Sequence, residues 1–243
     1  MEEGKNASIN EDELQSAIET QKKLHGSDYQ RSAHVEAAQR RFSEMKKAYK
    51  PLEKTQLELL FTEARTQYSW HTTPVNDELL GDIYNLTKMG STSVNCCPAR
   101  FIFIRTEEGR ERIKPSLTGN NIEKVMTAPV TTIIAYDVTF FERLDQLVPY
   151  MDLKPMFAGK GTFSEVTAFR NGTLQGAYFM MAAKALGLDC GPISGFDNSA
   201  VDDEFFMGTS VKSNFLCCLG YGDSKRLFQR LPRFDFEEVC TLL

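Results

Sequence analysis

The side chains able to do chemistry are scattered through this chain rather than gathered into one motif. Three histidines occur, His25, His34 and His71, and none has the HExxH neighbour that would set two metal ligands on one helix face. A Ser-His-Asp triad could draw only on His71, and no GxSxG elbow accompanies it. The six cysteines include two adjacent pairs, Cys96-Cys97 and Cys217-Cys218, but no CxxC spacing, so they are expected to be reduced thiols buried as small apolar residues. Gly159 and Gly161 flank a lysine without the third glycine of a dinucleotide fingerprint, and no GxxxxGK[ST] loop exists. The run Asp202-Asp203-Glu204 reads as the acidic first turn of a helix. What survives is dispersed: Glu63 to Thr66 with its Arg65, the polar loop 90–100, Asn120 to Lys124, residues 191–197, and Arg230 to Arg233. Taken singly, each is explained by caps, turns and surface arginines.

The elements that must carry these residues follow from periodicity and punctuation. Asn76-Asp77 caps a helix running to about Lys88, with Gly90 as its stop. Residues 56–66 and 107–117 read as helices, the second bent or ended by Pro115. Residues 100–105, 129–136 and 212–221 are rich in β-branched and aromatic side chains and read as strands. Residues 164–188, apolar on most faces, form the longest helix and should be central, with Gly187 supplying the left-handed stop. Asp197-Asn198 caps a further helix toward Phe206, and residues 144–161, with two prolines, read as irregular. Three strands among helices without regular βαβ spacing favour an α+β layered architecture.

Residues 1–50 differ in kind. They carry nine basic and nine acidic side chains, few large apolars, and a break at Gly26-Ser27-Asp28. Two polar helices with a thin apolar stripe are expected there, as an extension to a domain of residues 51–243. Over the whole chain, 28 basic and 33 acidic residues give a net charge of −5 with no sustained basic stripe, which argues against nucleic acid as a partner. No apolar run is long enough for a bilayer span, and the acidic first residues lack the apolar core of a secretory signal. A cytoplasmic protein without a membrane partner is the expectation.

In their order, the stretches GSTSVNCCPARFIFIRT, TAFRNGTLQGAY, ALGLDCGPISGFD, DDEFF, KSN and GYGDSKRLFQRLPR resemble the flavin-dependent nitroreductase family, most closely its malonic semialdehyde (3-hydroxypropionate-forming) reductase subgroup of pyrimidine catabolism. The resemblance covers about residues 54–243. It implies a central, mostly antiparallel sheet flanked by helices and FMN as cofactor. Arg65 matches the early phosphate-binding arginine, and Arg230 and Arg233 match a late basic pair in which Arg230 ranks first. Guanidinium forks suit a phosphate bidentately. Ser93 and Asn95 match ribityl and ring contacts, where a bulky side chain would fill the slot. Asn121 and Lys124 match the pair at the pyrimidine edge, where a cation favours the reduced ring. Ser194 and Gly195 match the segment whose backbone meets flavin N5, with Ser194 standing where relatives carry an acid. Thr66 and Tyr68 also depart from the family's usual Ser and Lys or Arg.

The resemblance further implies a homodimer with FMN at the subunit interface and C-terminal segments wrapping the neighbour; the aromatic-rich tail from Arg233 to Phe236 suits that exchange. NADH or NADPH would hand a hydride through flavin N5 to a small electrophile in ping-pong fashion. Malonic semialdehyde is the first expectation, with a nitroaromatic, quinone or enone as alternatives. A non-catalytic dimer scaffold whose N-terminal arm recruits a partner is the rival from another class. No catalytic side chain stands out: His71 is a weak proton-donor candidate. Arg170 could hold a substrate carboxylate, although ion pairing along its helix surface is the favoured reading. No metal is expected.

Overall fold

The computed structural model describes residues 33–149 and 151–243. The first of the two expected arm helices, and the break at Gly26-Ser27-Asp28, lie outside them. In chain order the helices and strands are α1 (Ala33–Ala48), α2 (Lys54–Leu57, continued by a π-helical turn Glu58–Thr62), α3 (Asp77–Thr87), β1 (Ala99–Ile104), α4 (Glu107–Ile113), α5 (Asn121–Thr127), β2 (Val130–Asp137), α6 (Leu144–Leu147), α7 (Thr162–Ala185), β3 (Asp189–Ile193), α8 (Asn198–Phe205), β4 (Val211–Gly220) and α9 (Phe236–Val239).

The four strands form one antiparallel sheet in the order β1-β2-β4-β3. Both of its faces are covered. On β2, Val130 and Ile134 point to one face, where they meet Phe179, Ala182 and Ala183 of α7. Ile133 and Ala135 point to the other, where they meet Val125 of α5, Ile113 of α4 and Val201 of α8. Period-two alternation of apolar side chains on a strand buried on both sides dictates this three-layer packing. A third apolar cluster gathers Phe140, Leu144, Val148 and Phe157 from the segment after β2 around Tyr136 and Ala168. That segment is irregular, as its prolines require, with short 3₁₀ turns at Phe140–Arg143 and Lys154–Met156.

α7 lies against the sheet because it carries glycine at two positions one turn apart. A Cβ on Gly172 would meet Tyr136 Cβ at 2.8 Å, and one on Gly176 would meet the Phe215 ring at 2.6 Å. The helix ends at Gly187, whose φ of 87° is the left-handed stop. The expected caps hold: Asn76 Oδ1 accepts from Leu79 N at 2.8 Å, and Asp197 Oδ1 accepts from Ala200 N at 3.1 Å.

Four differences from the sequence expectations stand out. The acidic run Asp202-Asp203-Glu204 lies in the last turn of α8 rather than in a first turn. A fourth strand, β3, stands beside the three expected; Gly191 and Pro192 disfavour a central strand, but β3 lies at the sheet edge, where a missing N–H is tolerated. Helix 107–117 ends at Ile113 and passes into a 3₁₀ turn containing Pro115. Four of the six thiols are buried, and burial pushes Cys96 up to about 12 and Cys218 up to about 11, so both stay protonated and act as apolar groups. Cys97 is only half-buried and Cys240 is exposed, against expectation.

No helix among the described residues is long and apolar enough to cross a membrane. α1 stands in solvent with Phe42 and Met45 uncovered.

Candidate functional site

The residues singled out by sequence form two separate lobes. The first is built around Lys124. α5 carries this lysine inward, 3% exposed, so it does not face solvent at a helix end. Its Nζ donates to Pro192 O at 3.1 Å and stands 4.8 Å over the Tyr68 ring. No carboxylate pairs with it among the described residues. Burial lowers its pKa below the ordinary lysine value. A buried ammonium held only by a carbonyl and a π face is an unusual expense for a fold unless an electron-rich group completes it.

The surroundings are built to that lysine. A Cβ on Gly191 would meet Lys124 Cε at 2.5 Å, so glycine is what allows β3 to pass this close. Asn121 Nδ2 and Thr118 Oγ1 both donate to Gly195 O, each at 2.9 Å, tying the start of α5 to the loop after β3. Ser194 and Gly195 are exposed on that loop. Gln67 hydrogen-bonds through its backbone N to Cys190 O at 3.0 Å, and its side chain is 6% exposed with Oε1 lacking a partner among the described residues.

Two arginines adjoin this lobe. Carbonyls at a helix C-terminus have no partner within the helix, and the end of the turn after α2 offers several. Arg65 Nη1 donates to Thr62 O at 3.2 Å and Ala64 O at 3.1 Å. Arg230 Nη2 donates to Phe61 O at 3.0 Å, Ala64 O at 2.8 Å and also Thr62 O. Two guanidinium groups separated by 165 positions thus share one set of carbonyls, and Nε and Nη1 of Arg230 keep no partner among the described residues. Arg233 does not join them: its Nη1 donates to Leu231 O and Pro232 O, both at 2.9 Å within its own stretch. Tyr68 meets Phe228 edge-on at 5.8 Å, which links the lysine to the tail.

The second lobe is the loop entering β1. Val94, Asn95 and Cys97 all have positive φ, at 46°, 55° and 37°. For a β-branched valine this backbone is strained by about 1–2 kcal/mol. Side chains hold it there: Asn171 Oδ1 of α7 accepts from Ser93 N at 2.8 Å, Asn95 Nδ2 donates to Leu147 O at 3.0 Å, and Thr92 Oγ1 accepts from Cys97 N at 3.3 Å. Asn95 and Cys97 line a groove of ≈ 1050 Å³ with Lys88, Arg100 and Gln175. Ser93 and Asn95 themselves remain exposed.

The lobes do not meet within one chain. Pro192, the partner of Lys124, lies on β3, whereas the Ser93 loop feeds β1 at the opposite edge. Three strand spacings separate these edges by about 14 Å. The Ser93 loop rests on α7, and α5 packs on the other face of the sheet. His71 belongs to neither lobe; it is exposed beside a different groove of ≈ 980 Å³ shared with Arg105, Arg110, Pro129 and Phe205.

The nitroreductase family model matches residues 62–222, about two thirds of the chain. The chain belongs to the nitroreductase family. Among solved structures, this nitroreductase is similar to a Staphylococcus epidermidis protein described as an NAD(P)H:FMN oxidoreductase, with a TM-score of 0.70 and 20% identity over 79% of this chain and 97% of that one. It is also similar to a protein of Exiguobacterium sibiricum classed as a nitroreductase and solved with FMN, with a TM-score of 0.65 and 19% identity over 80% and 100%. A gut-bacterial enone reductase of fatty-acid saturation matches with a TM-score of 0.68 and 15% identity over 79% and 99%. At these identities the structures establish the shared fold, a nitroreductase-like α+β sheet flanked by helices.

Two residues of this nitroreductase's first lobe escaped the sequence reading. Gln67 sits one position beyond the Arg65-Thr66 pair, and Thr118 lies just before the Asn120-Asn121 pair. A buried, unpartnered amide and a hydroxyl that bonds across 77 positions leave no local signal. Tyr68, noted as a departure from the family pattern, contributes the π face beneath Lys124.

Proposed function

We propose that this nitroreductase is an FMN-dependent NAD(P)H oxidoreductase that works as a homodimer, and that each site combines the Lys124 lobe of one copy with the Ser93 loop of the other. The observation that carries the reading is the buried Lys124, lacking an anionic partner, beside two guanidiniums that share one set of carbonyls.

The residues fit FMN. Arg65 and Arg230 would hold the phosphate, with the unused Nε and Nη1 of Arg230 forming a fork suited to two of its oxygens. Lys124 and Asn121 would meet the pyrimidine edge, where a cation in a dry setting acts most strongly on developing negative charge. The Gln67 side-chain oxygen is a buried acceptor of that lobe with no donor among the described residues. Gly195, exposed and without a side chain, would let its backbone approach a flat ring. Ser93 and Asn95 from the second copy are small and exposed, as a slot for a planar group requires. When bound, FMN would supply two-electron chemistry, accepting a hydride from NAD(P)H and delivering it to an electrophile.

Support for the dimer comes from uncovered apolar surface. Leu231 is 74% exposed, Phe234 75% and Leu242 84%, and the outer face of α7 adds Phe163, Val166, Phe169 and Leu174. So much apolar surface on one chain marks an interface. The acceptor we assign is malonic semialdehyde, on the likeness of the six dispersed stretches to that subgroup. Its carbonyl carbon would gain the hydride and its oxygen a proton from water, giving 3-hydroxypropionate. His71 is exposed in another groove and is not needed for that proton. Residues 51–243 would form the catalytic domain and residues 1–50 an appended arm.

The test is optical. Purified protein should carry bound-flavin absorbance that NADH or NADPH bleaches and malonic semialdehyde restores. A yellow protein that no nicotinamide bleaches would refute the enzyme while leaving flavin binding standing.

A further inference from the structure

Lys124 is a buried cation with little to keep it charged. Its Nζ donates to one carbonyl, Pro192 O at 3.1 Å, and the Tyr68 ring lies 4.8 Å from it. The titratable groups that face it from β4 are thiols, and both are neutral. Burial holds Cys218 up at about 11, and a hydrogen bond with Cys190 together with burial raises Cys217. The acid beside it on α5, Glu123, is turned to Arg226 in an ion pair. Desolvation favours the free amine. The electron-rich face of Tyr68 therefore carries much of what favours the ammonium, and such a contact is strongest where water is excluded.

Tyr68 is fixed for this task from several sides. Before it, Gln67 N donates to Cys190 O at 3.0 Å. After it, Ser69 Oγ donates to Asp223 O at 3.0 Å, and Asp223 N returns a bond to Ser69 O at 2.9 Å. Phe228 of the tail closes on the ring edge-on at 5.8 Å. The Tyr68 hydroxyl makes no hydrogen bond among the described residues, so the ring and not the phenol oxygen is what the lysine meets.

We propose that Tyr68 is a positioning residue that stands in for an anion: its ring keeps the Lys124 ammonium charged and aimed before any cofactor arrives. The proposal rests on the reductase reading above and deepens it. A cation already charged and in place costs no reorganisation when negative charge develops on a flavin ring.

The test reads the lysine itself. In full-length protein carrying lysine isotope-labelled at Cε, the Lys124 signal is the one missing from K124M. Its titration in the wild type should lie below the ordinary lysine value. Y68L should move that titration down by about one pH unit, the scale of a desolvated cation–π contact. Y68F keeps the ring and should stay within about 0.3 of wild type. In FMN-loaded protein, at a pH between the wild-type and Y68L titrations, Y68L should lower the flavin midpoint potential and Y68F should not, because a neutral amine favours the reduced ring less. The proposal is overturned by an unchanged Lys124 titration in Y68L, by an equal fall in Y68F, or by a potential that ignores the shift. Should Y68L fail to fold, pentafluorophenylalanine at position 68 carries the test, since it keeps the ring's shape and reverses its charge distribution. The titration should then fall as in Y68L, and an unchanged value would overturn the proposal. Failure of the protein to bind FMN would sink the reductase reading alone, since the titration reads Lys124 without it.

Discussion

The Lys124 lobe and the Ser93 loop reach their shapes by opposite routes. The first is assembled from distant stretches that converge on a buried cation: Lys124 meets Pro192 and Tyr68, Asn121 meets Gly195, and Arg230 meets the residues around Thr62. The second is local, a strained turn with three left-handed residues, pinned from outside by Asn171 and Leu147. One stores electrostatic cost and the other conformational cost. Both kinds of cost concentrate where a ligand is to be held. The contrast also shows why neither lobe closes into a pocket alone: they occupy opposite edges and faces of a sheet whose two sides are already filled.

If the lobes differ this way, changes in them should differ in kind. The largest effect is expected in the electrostatic lobe. K124M removes the cation while keeping apolar bulk, and should slow flavin reduction by about 100-fold or more, measured by stopped-flow bleaching with NADH. A rate within a few-fold of wild type would separate Lys124 from the chemistry.

A smaller, graded effect separates the two late arginines. R230A removes the guanidinium beside Arg65 and should weaken FMN binding by about tenfold or more, by the worth of a charge-assisted contact. R233A removes one that bonds only to its own stretch and should change binding by less than about twofold. Fluorescence titration of apoprotein with FMN checks both, and equal losses would mean that the tail rearranges on binding.

The smallest effect lies behind the Ser93 loop, where Asp137 anchors the start of β1 through Arg100 at 2.7 Å. Burial alone would raise its pKa, but hydrogen bonds from Ser210 and Thr139 and the Arg100 charge outweigh burial and hold it below the ordinary carboxyl value. A depressed folded-state pKa contributes stability that is fully present above the unfolded value near 3.9 and lost as pH falls through the folded one. Thermal unfolding should therefore drop on acidification below about pH 4, and D137N should show a shallower drop. Parallel acid profiles for the two proteins would contradict this account of Asp137.

Much of this could be read from residue order. β1, β2 and β4 announced themselves through β-branched and aromatic runs, and α3 and α8 through the caps Asn76 and Asp197, because those signals are local. β3 was hidden because Gly191 and Pro192 disfavour a central strand, and only its edge position makes them admissible. The burial of Lys124 was equally invisible: it depends on a carbonyl 68 positions away and on a missing Cβ at Gly191. The division into two lobes is a property of sheet order, which spacing along the chain does not encode.

Mixing two inactive variants tests the composite site most directly. K124M spoils the first lobe, and S93W fills the second. Coexpressed, they should form mixed dimers that each hold one intact site, restoring about a quarter of wild-type flavin reduction at random pairing. No recovery over the separate variants, with mixed dimers confirmed by affinity tags, would mean that each site lies within one chain and would contradict the account.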